Sequence, residues 1–430
     1  MQEQYTCTWL RGKSLDENAF CQDFLENHPL IYTGGHFYDQ MGIITDEGSL
    51  RKEIYDILCN HSRTNLAKKV DNIVQALKIV TRQSQLQVDE NAIHIANGTF
   101  HLYNGYWDNL QICSHRLPVY YTGRKDPAKH WEAFLRDLLE PEDILTLQEF
   151  MGYCLLPTNK AQKMLIILGN GGEGKSRIAV AMKAIFGESM HVGSLAKLEG
   201  NAFARSDLED LLVFVDDDLR MDALQSTSNI KSLISADIPM DVERKYMQSY
   251  QAKIHARLIA FGNGTLQSLH DRSYGFFRRQ IILSAKPRDP NRKDDPYLGE
   301  KLVQEREEIF MWCLYGLYRL VEQDYQFTLS QKAKDNWTQT VADQNNVVSF
   351  MDSTGYIRFG QERCITAKRL YELYRLWCED NAVKALSQRS FSAYLINHQH
   401  QYGISYTTNV KISEGKTARG FRGIAPHVSL

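Results

Sequence analysis

The stretch GNGGEGKS, residues 169–176, constrains this chain more than any other. It follows five apolar residues, MLIIL (164–168), and precedes a helical pattern from Arg177 to Phe186. Its glycines let the backbone curl so that successive N–H groups face one anion. The helix that follows adds its positive end. In this G-x-x-x-x-G-K-S pattern Lys175 is expected to reach β- and γ-phosphates, and Ser176 to ligate Mg²⁺. Gly169, Asn170, Gly171, Gly172, Glu173, Gly174, Lys175, Ser176 and Arg177 therefore form the candidate nucleotide-binding set.

Further apolar runs alternate with helical patterns: LLVFV (211–215), RLIAF (257–261) and QIIL (280–283). Fully apolar short strands between helices predict a parallel sheet covered on both faces. The second run ends in three acids. Asp216 is expected to hold Mg²⁺ through water, and Asp217 to orient the attacking water. Asp218 takes the second role if the register slips by one. RLIAFGNG ends at Asn263, whose amide could bind that water or the γ-phosphate; taken alone it reads as an Asn-Gly turn. Lys175, Asp216 and Asn263 recur at similar intervals, so three strand ends can line one crevice at the carboxyl edge of the sheet.

At 430 residues the chain has room for about three domains. Its net charge of −2 means that any nucleic-acid site is local. None of the eight cysteines forms a C-x-x-C pair, which argues for a reduced, cytoplasmic chain and against a zinc site. MQEQYTCTWLRGKS lacks the apolar core of a signal peptide. Ile309 to Val321, interrupted by Gly316 and Arg319, is too short to span a bilayer. No membrane partner is expected.

Along the chain, residues 1–125 mix short strands and helices, with an amphipathic helix at Asn65 to Val80. Pro127 to Leu156 reads as helical. Residues 286–296, KPRDPNRKDDP, read as a surface loop, and Leu298 to Gln323 as one long helix. The tail reads as three helices followed by strands around Gly403 to Ile424.

GNGGEGKS, VFVDDD, NIKSLISADIPMDVERKY (229–246) and AFGNG resemble the A, B, B′ and C motifs of superfamily 3 helicases of the AAA+ class. More narrowly, the chain resembles the helicase part of phage and plasmid primase–helicases, with poxvirus and mobile-element relatives. IHIANGTFHL (93–102) and residues 131–157 look like the helicase-associated region of that family, and residues 370–396 like its C-terminal winged helix. The sequence departs in lacking a proline after motif C and in ending its B strand with Asp216-Asp217 where glutamate is frequent. The second departure leaves the catalytic base open. No primase signature is visible in residues 1–125.

The resemblance implies an α/β fold: an AAA+ P-loop core with a mostly parallel sheet (126–325), after a mixed α/β N-terminal domain (1–125) and before a C-terminal winged-helix domain (326–430). It implies an ATP-dependent replicative DNA helicase of a mobile element, ring-forming and hexameric, with 3′-to-5′ polarity. A primase or polymerase of the same element is the expected partner. The rival reading is an origin-binding initiator that uses ATP only to assemble. A phosphotransferase would need an acceptor pocket for which no motif is found.

Residues 241–256 suit a β-hairpin before motif C, which in similar helicases enters the ring channel. Arg244, Lys245 and Tyr246 are the candidate contacts to a single strand, cations for phosphate and a ring for stacking. Taken alone, the segment is a charged surface hairpin. Residues 384–430 carry six basic residues and one acid, and Arg389, Lys416, Arg419 and Arg422 are the candidate duplex contacts. Tyr371, Tyr374, Trp377, Phe391 and Tyr394 read as core.

YGFFRRQIIL (274–283) sets Arg278 and Arg279 at the mouth of an apolar strand. In similar ring ATPases an arginine here reaches the neighbouring subunit's nucleotide. Arg279 aligns with that role, Arg278 with its support, and Arg272 more weakly. A guanidinium forks onto phosphate oxygens and stays charged, which suits it to the charge that develops on a transferring γ-phosphoryl group. Pairing with surface carboxylates is the plain alternative.

Overall fold

A computed structural model describes residues 9–11, 14–44, 46–62, 64–84, 86–124, 126–219, 226–236, 238–244, 248–262, 274–344, 346–353, 355–383, 385–413 and 416–427. The chain is mixed α/β and divides into two compact units. The first comprises Met1–Asp271 with Arg278–Ala333, the second Arg272–Phe277 with Lys334–Leu430. Residues on both sides of position 125 thus belong to one unit.

The centre of the first unit is a five-stranded parallel sheet. Across it the order is Met190–Val192, Val213–Leu219, Arg257–Gly262, Met164–Leu168 and Gln280–Ser284. The expected parallel sheet is present because these runs are apolar on both faces: Leu165, Ile167, Val213, Val215, Ile259, Phe261, Ile281 and Leu283 are buried in one core, and Met164, Ile166, Phe214, Leu258, Ala260 and Ile282 are buried on the opposite face. Trp131, Phe150 and Phe310 join that core, as do Ile93 and Phe100 from a smaller sheet. The helices Glu17–Asn27, Glu47–Cys59 and Leu66–Val80 close a separate core through Phe20, Phe24, Leu50, Ile54, Ile73 and Leu77.

One helical expectation is corrected. The segment read as one helix, 298–323, is Leu298–Gln304 and Arg306–Glu322, separated by Glu305. The Glu305 carboxylate accepts the N–H of His130 (2.9 Å) and of Trp131 (3.0 Å), capping the Lys129–Leu138 helix. The 127–156 segment is likewise two helices, Lys129–Leu138 and Pro141–Tyr153, with Pro141 starting the second. Pro141–Tyr153 and Arg306–Glu322 approach backbone to backbone at two glycines. A Cβ on Gly152 would lie 2.4 Å from the Cys313 carbonyl, and one on Gly316 2.3 Å from that of Gln148.

In the second unit a three-stranded antiparallel sheet, in the order Ile357–Thr366, Lys416–Pro426, Ser405–Ser413, packs with the helices Ala367–Asp380 and Gln388–Asn397. The strand Ile357–Thr366 was not among the sequence expectations. Tyr374 and Phe391 are buried and stacked at 4.4 Å, so these rings are core. Phe276 and Phe277 are buried as well, and the Trp337 indole donates to the Phe277 carbonyl (2.8 Å). Among the described residues no helix is long and apolar enough to cross a membrane.

Candidate functional site

The loop 169–175 joins the central strand Met164–Leu168 to the helix Ser176–Phe186. Gly171, Gly172 and Gly174 have φ of +100°, +81° and +101°, which other residues adopt only under strain. Gly169 serves differently: a Cβ there would stand 2.5 Å from Lys175 Nζ. Its N–H donates to the Gly262 carbonyl (3.0 Å), tying the loop to the strand that precedes Asn263. Asn263 itself lies outside the described residues.

Lys175 is buried and ion-paired with Glu173 (2.9 Å) inside the loop. The Glu173 carboxylate also accepts the N–H of Asn170 and of Gly171 (3.1 Å). Ser176 is exposed at the helix start and Arg177 half-buried behind it.

Asp216 pairs in register with Ala260, which in turn pairs with Ile166, two residues before Leu168 at the end of the loop's strand. It is 5% exposed. Its carboxylate accepts the N–H of Leu195 (2.8 Å) and Asp218 (3.3 Å). Burial raises its pKa; those N–H groups oppose the shift, and the charges of Asp218 and Asp217 add to it. Asp217 and Asp218 are both exposed, and the geometry does not choose between them. Ser176 carries a hydroxyl and Asp216 a carboxylate, oxygen donors of the kind a divalent ion takes. Among the described residues no cluster of three or more His, Cys, Asp or Glu could hold a metal unaided.

Arg278 and Arg279 lie at the opposite edge. The Arg279 carbonyl accepts the N–H of Met164 (2.8 Å), the first residue of the loop's own strand. The Arg279 guanidinium donates to Ser235 Oγ (2.8 Å), and Arg278 is exposed. Lys163, which the sequence reading passed over, donates to the Arg278 carbonyl. Burial lowers the Lys163 pKa, and the positive charges of Arg278 and Arg279 lower it further. The result is a three-cation cluster at the amino ends of two adjacent strands.

The expected hairpin is present as Met240–Val242 paired with Tyr250–Ala252. Lys245 and Tyr246, between these strands in sequence, lie outside the described residues. Arg244 is not presented to solvent as a strand contact would be. Its guanidinium holds Glu209 (2.7 Å) and the Gly34 carbonyl (2.9 Å) and covers the Tyr250 ring at 5.6 Å. The Tyr250 hydroxyl donates to the same Glu209. Arg244 thus anchors the base of the hairpin to Glu209 and Gly34. The partner acid is remote in sequence, which is why local reading missed it. Beneath the hairpin lies a cavity of about 740 Å³ lined by Tyr38, His115, Glu209, Asp210, Tyr250 and His255, among others. Burial lowers the pKa of both histidines, His255 to about 4 and His115 to about 3, helped in each by the charge of Arg257.

Arg389 lies on the Gln388–Asn397 helix, and Lys416, Arg419 and Arg422 on the Lys416–Pro426 strand; all four are exposed.

With this geometry in hand, comparison with known proteins gives two family matches. Residues 35–140 match the D5 N-terminal-like family, and residues 167–279 match DUF5906, a family of unknown function. Among solved structures, the apo structure of the NrS-1 C-terminal region is similar at a TM-score of 0.54 and 13% identity, covering 94% of this chain and 97% of that one. Its A form is similar at 0.53 and 12%, covering 94% and 98%. At such identity the likeness is one of fold.

Proposed function

We propose that the chain is an ATP-dependent DNA helicase of the superfamily 3, AAA+ type, serving replication of a phage, plasmid or other mobile element. The D5 N-terminal-like match and the likeness to the NrS-1 region fit a phage-type replication protein. The observation that carries the motor reading is a division within the sheet. The loop 169–175 leaves its carboxyl edge, while Lys163, Arg278 and Arg279 stand at its amino edge. A strand of five residues is roughly 16 Å long, too far for these cations to serve their own loop. They suit the nucleotide of a neighbouring copy, as a heterologous interface of a closed ring requires.

On this reading the loop N–H groups and Lys175 bind the β- and γ-phosphates. Ser176 and Asp216 hold Mg²⁺, Asp217 or Asp218 orients the attacking water, and Asn263 senses the γ-phosphate. The arginines of the next subunit offset charge developing on the transferred phosphoryl group. The hairpin, anchored by Arg244, carries Lys245 and Tyr246 to a single strand. The second unit, read as a winged helix, contacts duplex through Arg389, Lys416, Arg419 and Arg422.

The test is strand displacement on forked DNA duplexes of both polarities with Mg-ATP. ATP-driven unwinding that is lost in Lys175→Ala is expected. ATP-dependent assembly and DNA binding with no unwinding on any fork would favour the initiator reading.

A further inference from the structure

Glu173 lies inside the loop to which it belongs and is 3% exposed. Its two carboxylate oxygens take the N–H of Asn170, the N–H of Gly171 and the ammonium of Lys175. These are donors that a P-loop offers to phosphate. Burial pushes the Glu173 carboxyl up, but the Lys175 hydrogen bond and the loop N–H groups outweigh it and hold the pKa below the ordinary value. The group is an anion at neutral pH, and an entering phosphate cannot share those donors with it.

The loop 286–296 supplies a second place for that anion. Arg292 Nη1 donates to the carbonyl of Glu173 itself (3.0 Å), and its Nη2 lies 3.4 Å from Asp294. Arg288 pairs with the same Asp294 (2.7 Å), and a Cβ on Gly172 would stand 3.4 Å from Arg288 Nη1. Asp294 is 59% exposed, so its hold on either arginine is weak. Two guanidinium groups thus stand beside the backbone that carries Glu173.

We propose that Glu173 is an affinity-determining residue of the nucleotide site, a resident competitor that phosphates displace and that Arg288 and Arg292 then receive. This rests on the nucleotide reading above. Several phosphate oxygens are needed to replace one carboxylate held by three donors, so the exchange favours di- and triphosphates over monophosphates or free phosphate. Arg288 and Arg292 act through Glu173, as positioning residues.

The experiment is a binding cycle on the full chain with a fluorescent ATP analogue and Mg²⁺, with Lys175→Ala as the non-binding reference. Glu173→Ala should bind about tenfold more tightly than the parent. Glu173→Gln, which keeps the side chain's shape, should shift the same way and covers the case in which the alanine variant does not fold. The Arg288→Ala/Arg292→Ala pair should weaken binding about tenfold when Glu173 is present and leave it unchanged in the Glu173→Ala background. Equal or weaker binding by both Glu173 variants would overturn the proposal. An arginine effect that persists without Glu173 would overturn the exchange and make the arginines direct nucleotide ligands. Absence of binding by the parent and by every Glu173 variant would instead overturn the nucleotide reading itself.

Discussion

Arg279 and Lys175 stand at opposite ends of the same strand. The Arg279 carbonyl accepts the N–H of Met164 at its start, and Lys175 closes the loop that leaves its end. One chain therefore carries a glycine-loop lysine and a cationic cluster set apart by the length of a strand. On the proposed reading, a second copy would bring its own loop to Lys163, Arg278 and Arg279.

The hairpin base makes the first prediction. Glu209 binds both Arg244 and the Tyr250 hydroxyl, so one carboxylate fixes both strands of the hairpin. Glu209→Ala and Arg244→Ala should each lower DNA-stimulated ATP turnover several-fold while leaving turnover without DNA near the parent's. The double variant should be no worse than either single one. Additive losses, measured as ATPase rate against DNA concentration, would mean that the two residues act separately.

Asp210 gives a pH dependence. Burial and the neighbouring Glu209 push its pKa from 3.8 up to about 6, while the Tyr38 hydroxyl and Arg244 act the other way. The folded chain therefore holds this proton more tightly than the unfolded chain. The stabilisation is full below pH 3.8 and is lost as pH rises through about 6. Asp210→Asn should raise stability at pH 7 by up to about 3 kcal/mol and flatten the dependence across that window. Thermal melts at a series of pH values check it, and a variant with the parent's slope would contradict it.

The glycine crossing predicts a pure stability effect. Gly152→Ala or Gly316→Ala drives a methyl group into a facing carbonyl and should cost about 3 kcal/mol or more. Denaturant midpoints measure it. A loss below about 0.5 kcal/mol would mean that the helices separate easily.

Arg257, buried at the start of its strand, donates to the carbonyls of Cys154, Thr158 and His255 and lies over the Tyr153 ring at 5.4 Å. Arg257→Met leaves those carbonyls without a donor at about 1–3 kcal/mol each, so an urea melt should show a marked loss of stability. Stability equal to the parent's would mean that water replaces the guanidinium.

The parallel strands and the glycine loop between strand and helix were legible because short apolar runs ending in glycines and acids leave few alternatives. Features that depend on partners distant in the chain were not. Nothing near Glu305 announces that its carboxylate caps a helix starting at Lys129, so two helices read as one. The Arg244 ion pair was not foreseen because its acid, Glu209, lies 35 residues away in the chain. Arg257 is held by carbonyl groups, which leave no trace in a sequence. The strand Ile357–Thr366 was missed because most of its side chains are not buried and it carries a register shift between Phe359 and Cys364, which blurs the alternation. At the site, Lys175 and its glycines were expected; the inward carboxylate of Glu173 was not, because the loop pattern leaves that position unspecified.

The central claim, a nucleotide site completed by a second copy, is tested most directly by mixing two inactive forms. One carries Lys175→Ala, the other Arg278→Ala with Arg279→Ala. If the arginines act on the neighbour's nucleotide, equal mixing should restore about a quarter of parental ATP turnover, because that share of interfaces joins an intact loop to intact arginines. Mixed oligomers that form but recover no turnover would contradict it.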